Sequence, residues 1–253
     1  MISAQLRSVL SRLALTTMKD YAIRAVDNKG EKLPRSSLVW ALVVATGAGF
    51  TTTSSLLSWL IYGLVTYEGM QDRLLQELID NGIDENTQFT ADVTDRLPFL
   101  DHYIKETQRR HNPSFQPGRT AKTDLILPGG YKIAAGSVII PALHHIHNNP
   151  DLWDNPHAFD PDRWGTERVK SRHKAAYIPF ATGQRMCIGF NFALQEVKIF
   201  LPKLLFRYKF VREGDGTIEY DPMFQLIRPN NLYVRADKRV KWPLKSSTTA
   251  EDS

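Results

Sequence analysis

A chain of 253 residues, 42% hydrophobic and 23% charged, has the composition of a globular protein with a buried core, which excludes a disordered or fibrous chain. Its single cysteine excludes a disulfide framework and a zinc site built on several thiolates. The net charge of +5 suits an acidic protein partner or an anionic surface, but aromatic and basic residues do not interleave as a nucleic-acid stacking groove requires, so no nucleic-acid partner is expected.

The N-terminal stretch MISAQLRSVLSRLALTTMKDYAIRAV is amphipathic and has no continuous apolar core, so no secretion signal is evident. Pro34 with Ser36 and Ser37 then marks the start of a long helix. From Ser36 to Tyr67 this run carries no charged residue and is long enough to cross a bilayer. Apolar on all sides around the block ATGAGFTTTSS, it equally suits a helix at the centre of a large domain. A charged amphipathic helix, TYEGMQDRLLQELIDNG, is expected to close at Asn81 and Gly82, and DRLPFLDHYIKETQRRH forms the next, stopped by Asn112 and Pro113.

From Thr120 to Ile146 short β-like runs are expected, with LILPGGYKI a hairpin around Pro128, Gly129 and Gly130. A segment punctuated by Pro150, Pro156 and Pro161 shows no period. The last helix is expected from Phe190 to about Tyr208 with a kink at Pro202, followed by an extended pair near Leu232–Val234 and a disordered tail over 245–253. No repeat or linker divides residues 1–253, which are read as a single domain, mainly α with small β-sheets (α+β).

Cys187 lies just before the last helix, where the first-turn N–H groups and the helix dipole favour a thiolate. Gly183 and Gly189 allow a tight turn around the sulfur, and Arg185 brings a guanidinium suited to a carboxylate. A lone cysteine in apolar company is also commonly inert and structural. Glu106 and Arg109, three apart, share one helix face, which by itself describes an ordinary solvated pair. Gly47 and Gly49 each cost about 1 kcal/mol relative to Ala inside a helix and so call for a reason.

Phe180, Gly183, Arg185, Cys187 and Gly189, in F-x-x-G-x-R-x-C-x-G, resemble the haem-binding loop of the cytochrome P-450 monooxygenases. Glu106-Thr-Gln-Arg109 resembles the family's E-x-x-R motif, and Pro161-Asp-Arg163-Trp164 its P-E-R-F segment with Asp for Glu and Trp for Phe. Ala48-Gly49-Phe50-Thr51-Thr52-Thr53 resembles A-G-x-D/E-T-T, with Thr51 where the family has an acid. The resemblance spans almost the whole chain but only the C-terminal half of the family fold, with a long central helix over the haem and the Cys loop beneath it.

The resemblance implies thiolate-ligated haem b (iron protoporphyrin IX), with Cys187 the axial iron ligand. Arg119 and Arg185 face the propionates, Phe180, Gly183, Gly189, Ala48 and Gly49 lie against the macrocycle, and Thr52 is the hydroxyl that hydrogen-bonds dioxygen or its water. Glu106, Arg109 and Arg163 form a structural network holding the loop, and residues 112–116 and 222–227 border the substrate pocket. The implied activity is insertion of one oxygen atom of O2 into a lipophilic small molecule in fungal secondary metabolism, with electrons from an NADPH-cytochrome P-450 reductase or similar flavoprotein. The run Arg163, Arg168, Lys170, Arg172, Lys174 is a candidate basic surface for that partner.

The implied location is the cytosolic face of the endoplasmic reticulum membrane, reached through family segments this chain does not carry; with no signal or anchor evident, the cytoplasm is the alternative. Because substrate-shaping segments lie outside the match, two alternatives stand beside the enzyme. One is an inactive truncated fragment, whose long helix would expose apolar surface, and the other a membrane anchor at 38–65.

Overall fold

The computed structural model describes Asp20 and residues 23–114, 117–220 and 227–246. The amphipathic N-terminus, most of the expected C-terminal tail, residues 115 and 116, and the 222–226 part of the expected pocket loop lie outside the described residues. The chain forms two compact units, Met1–Phe50 and Thr51–Ser253.

In the first unit Asp27 makes a turn, its Oδ1 accepting from the N–H groups of Lys29 at 2.8 Å and Glu31 at 3.0 Å, beside an isolated Val26–Lys32 bridge. Helix α1, Arg35–Thr66, follows Pro34 as predicted. Within this unit Val39, Trp40, Val43, Val44 and Phe50 are exposed. The helix is long and apolar enough to cross a membrane by length and composition.

In the second unit the same helix becomes core, with Leu56, Trp59, Leu60 and Leu64 buried. The core-helix expectation therefore holds for residues 53–64 and fails for 39–50. Gly69, at φ 75°, separates α1 from helix α2, Met70–Asp80, which thus starts later than the sequence pattern predicts. It ends at Asn81 and Gly82 as expected, with Gly82 at φ 71°.

A single turn, α3 (Ala91–Thr94), leads into helix α4, Pro98–Arg110. No side chain of its own caps α4. Glu77 of α2 does so instead, accepting from the N–H of Phe99 at 2.6 Å and of Leu100 at 2.9 Å, a carboxylate at the positive end of the helix.

The β-like region forms two small antiparallel pairs, β1 (Arg119–Thr120) with β4 (Val138–Ile139) and β2 (Leu125–Ile126) with β3 (Lys132–Ile133). The predicted hairpin turn is present, with Gly129 and Gly130 at φ 88° and 81°. Strand character stops earlier than expected. Leu143–His147 is a short helix, α5, because the Ile146 N–H bonds back to the Ala142 carbonyl at 3.0 Å rather than to a neighbouring strand.

After a 3-10 turn at Pro161–Gly165 and a short helix α6 (Glu167–Ser171), helix α7 runs Phe190–Arg207 with Pro202 inside it. Strands β5 (Tyr208–Glu213) and β6 (Tyr233–Lys238) pair antiparallel over six residues, longer than the predicted extended pair. Leucines of α1, α2, α4 and α7 form one core with Tyr103, Ile104 and Phe206. Gln71 pins the sheet to it, donating to the Phe210 carbonyl at 3.1 Å and accepting its N–H at 2.7 Å.

Gly63 is required by packing, since a Cβ there would lie 2.4 Å from the Tyr103 hydroxyl, which donates to the Leu60 carbonyl at 2.6 Å. Gly63→Ala is expected to lower stability by about 1–3 kcal/mol in urea unfolding. A Cβ at Gly47 or Gly49 meets nothing within 4 Å, so Ala at either position is the control that shows no such loss.

Candidate functional site

The site is built on α4. Glu106 is fully buried and accepts five hydrogen bonds. Its Oε1 accepts from Arg109 Nη2 at 2.8 Å, Arg163 Nε at 3.1 Å and the Asp160 N–H at 2.9 Å. Its Oε2 accepts from Arg109 Nε at 2.9 Å and Trp164 Nε1 at 3.0 Å. Trp164 is thus more than a substitute for phenylalanine, because its indole N–H satisfies a carboxylate oxygen that a phenyl ring cannot.

Arg109 uses its remaining donors on the carbonyls of His147 at 2.9 Å, Pro156 at 2.8 Å and Ala158 at 2.9 Å. Arg163 donates to the Asp154 carbonyl at 2.8 Å. Burial lowers Arg109 below its usual pKa while Glu106 pulls it back up. A buried ion cluster survives only when every donor and lone pair is matched, and here the carbonyls complete the matching. Spacing alone describes Glu106 and Arg109 as a solvated pair, while the resemblance implies a buried network with Arg163; the three are buried together and gather α4 and residues 147–164.

The network reaches the cysteine loop through residues 177–179. Tyr177 donates to Gln108 Oε1 at 3.2 Å, Asn112 Nδ2 donates to the Pro179 carbonyl at 3.2 Å, and the Ile178 N–H donates to His147 Nε2 at 3.0 Å. Beyond them the Cys187 N–H donates to the Phe180 carbonyl at 2.9 Å, closing the loop at the amino end of α7. Gly183 takes φ 77° and Ala181 φ 59°. The first is natural for glycine, and the second costs an alanine roughly 1 kcal/mol that fixed anchors must hold. Gly189, at φ −90°, is not in the left-handed region, so the loop does not need its conformational freedom.

Cys187 is exposed, as are Arg185, Met186 and Ile188. Phe180 is half-buried, its ring 6.2 Å from that of Phe190. Arg119 of β1 donates through Nη2 to the Arg185 carbonyl at 3.0 Å, which brings the two arginines together as expected. Among the described residues no carboxylate pairs with either guanidinium. A cavity of about 230 Å³ lies between α4, α7 and the loop, lined by Ile104, Gln108, Phe180, Met186 and Leu194 among others. Thr52 is half-buried on α1, and Ala48 and Gly49 are exposed on the same helix.

One exposed thiol and exposed apolar side chains on one loop, with the guanidiniums of Arg185 and of Arg119 on β1 beside them, fit a flat apolar group that carries a metal and two carboxylates. Among the described residues no cluster of three or more His, Cys, Asp or Glu offers a rival metal site. The expected basic surface is smaller than the sequence implies. Arg163 is buried in the network, Arg172 stacks on Trp153 at 3.9 Å, and Arg168 and Lys170 pair with Asp154 and Glu167 at 2.6 and 2.5 Å.

A single-cysteine loop before a long helix, held from a buried Glu-Arg-Arg cluster, is the arrangement of the cytochrome P450 fold. The cytochrome P450 family model matches residues 5–234, and the chain belongs to that family. It is 53% identical over 92% of its length to the cytochrome P450 monooxygenase alnD of Emericella nidulans, and 34% identical over 86% to cytochrome P450 4F5 of Rattus norvegicus. It spans 42% and 41% of those two proteins. Among solved structures it matches the cytochrome P450DA haem domain with TM-score 0.79 at 28% identity, covering 87% of this chain and 49% of that one. The fold also matches CYP102L1 with TM-score 0.82 at 22% identity, covering 93% of this chain and 53% of that one.

Sequence patterns did not single out Glu77, Gly63 or His147. Glu77 and His147 act across the fold on backbone groups, and Gly63 lies in a helix beside two glycines at which an added Cβ would meet nothing.

Proposed function

We propose that this region, a single P450 domain over residues 1–253, serves a haem-dependent monooxygenase that inserts one oxygen atom of O2 into a lipophilic small molecule in fungal secondary metabolism. The observation that carries the proposal is the exposed Cys187 thiol at the amino end of α7, tied by its own N–H to Phe180 and flanked by two converging arginines. Cys187 Sγ would ligate the iron, Arg119 and Arg185 would pair with the propionates, and Phe180, Gly183 and Gly189 would lie against the ring, a role the resemblance gives Ala48 and Gly49 as well. Thiolate-ligated haem b, when bound, activates dioxygen for insertion into C–H bonds.

Glu106, Arg109 and Arg163 keep the loop in register and transfer no proton, because their polar atoms face one another, fixed backbone groups or the Trp164 indole N–H. Thr52 would supply a hydroxyl to orient dioxygen or water, with Thr51 in place of an acid beside it. Electrons come from an NADPH-dependent flavoprotein reductase at the endoplasmic reticulum surface. Lys174, exposed and without an ion-pair partner among the described residues, supports a basic contribution to that docking.

Mixing the purified chain with haem, reducing it and adding carbon monoxide is expected to give the strongly red-shifted Soret band of thiolate ligation, and Cys187→Ser is expected to abolish that band. No haem uptake by the wild-type chain overturns the proposal for this chain. The exposed apolar face of α1 at 39–50, together with a span of 42% of alnD, favours a second reading in which the chain alone does not retain haem. The same spectrum separates the two.

A further inference from the structure

We propose that His147 is a positioning residue for Cys187, whose neutral ring ties the buried Glu106–Arg109–Arg163 frame to the cysteine loop through the backbone of Ile178. The inference rests on the reading of Cys187 as the axial ligand.

His147 is fully buried on α5 and is engaged at both ends. Its carbonyl accepts from Arg109 Nη1 at 2.9 Å, and its ring Nε2 accepts from the Ile178 N–H at 3.0 Å. An N–H can be accepted only by the unprotonated ring nitrogen, so Nδ1 carries the proton. That Nδ1 is buried and meets no hydrogen-bond partner among the described residues. An unmet buried donor is a cost that an apolar side chain of the same size would avoid. Histidine is therefore needed here for its acceptor, and what it accepts is the backbone that enters the cysteine loop.

From Ile178 the path to the sulfur is short. The Ala181 N–H donates to the Ile178 carbonyl at 2.9 Å, and the Cys187 N–H donates to the Phe180 carbonyl at 2.9 Å. Ala181 at φ 59° makes this turn one that relaxes unless its flanks are fixed. Tyr177 and Asn112 tie the neighbouring residues to α4 and its end, and the Tyr177 ring packs on Trp164 at 4.6 Å, but neither is hydrogen-bonded to the three ions of the cluster. His147 does so through Arg109. Burial, Arg109 and His144 together hold the ring neutral, in the acceptor form this role requires.

The test is backbone amide exchange on the full chain without added haem. In His147→Leu, exchange over Ile178–Cys187 is expected to quicken about tenfold while α4 keeps its protection, as loss of one local anchor requires. His147→Gln, whose Oε1 can stand where Nε2 stands, is expected to restore most of that protection. In the haem-loaded chain the Leu variant is expected to show a lower share of the thiolate band than Gln. Unchanged exchange over 178–187, an equal loss across α4, or Leu and Gln behaving alike overturns the proposal. Should Leu not fold, Asn replaces it. Its shorter amide cannot reach Ile178, so Asn with the same protection as Gln overturns the proposal. A wild-type chain that takes up no haem overturns the proposed function and leaves this comparison standing.

Discussion

Replacing Glu106 by Gln is expected to destabilise the protein by about 3–5 kcal/mol, read as a lowered urea midpoint with an unchanged slope. The carboxylate faces two guanidiniums that are buried with it, Arg109 at 0% and Arg163 at 8% side-chain exposure. An amide keeps the shape but removes the carboxylate charge that compensates them, and its NH2 would point at donors. Arg163→Met alone is expected to cost less than Glu106→Gln, because Arg109 still matches the carboxylate through two bonds. The two substitutions together are expected to cost less than their sum, since the double variant leaves one unmatched charge rather than two. Strict additivity would show that the cluster is not acting as a unit.

Acid is expected to unfold the protein well above the usual carboxylate range. His111 and His147 are each held down at about 3 from an ordinary 6.5, by burial first and then by neighbouring cationic groups, Arg110, His144 and Arg109 around His111 and Arg109 and His144 around His147. Both rings are neutral in the folded state, and both take up a proton on unfolding once the pH is below 6.5. Stability is therefore full above pH 6.5 and falls as the pH drops toward 3. At pH 4.5 each histidine removes roughly 2–3 kcal/mol, together on the order of 5 kcal/mol, a large part of the stability of an ordinary domain. Glu77, whose carboxyl is raised by burial, works in the opposite direction, and Asp101, held low by Lys105 and Lys198 against its burial, adds its own loss only nearer its ordinary value of 3.8. Unfolding free energies at pH 7.5 and 4.5, with proton uptake near pH 5, check this. Uptake well below two protons would show that the rings are not both held neutral.

His111 shows why such groups are hard to find in sequence. Its ring stacks on Trp59 at 4.5 Å and its Nε2 lies 3.0 Å from the Tyr67 hydroxyl, residues 52 and 44 positions away. The phenol is itself pushed up to about 12, chiefly by burial. Periodicity locates helices and fixed motifs locate local turns, but neither states which distant side chain meets a given ring. Glu77 and Gln71 are of the same kind, polar residues on an amphipathic helix that turn out to serve backbone groups of α4 and β5.

The helices, the hairpin and the cysteine loop were legible because each depends on neighbours in the chain. Gly82 closes α2, Gly129 and Gly130 turn the hairpin, and Cys187 precedes α7 at fixed spacing, whereas Gly69, the break before α2, lay within the stretch read as helix. The family and its candidate ligands followed from the same local patterns. The tertiary structure alone decided burial. It placed Glu106 and Arg109 inside a cluster rather than in solvent, took Arg163 and Arg172 away from the expected basic surface, and divided α1 into a core half and an exposed half. An apolar helix has the same sequence whether protein, lipid or nothing covers it, and a charge has the same sequence whether or not its counter-charge is brought to it. Those distinctions are made by residues far along the chain, so only their meeting in space settles them.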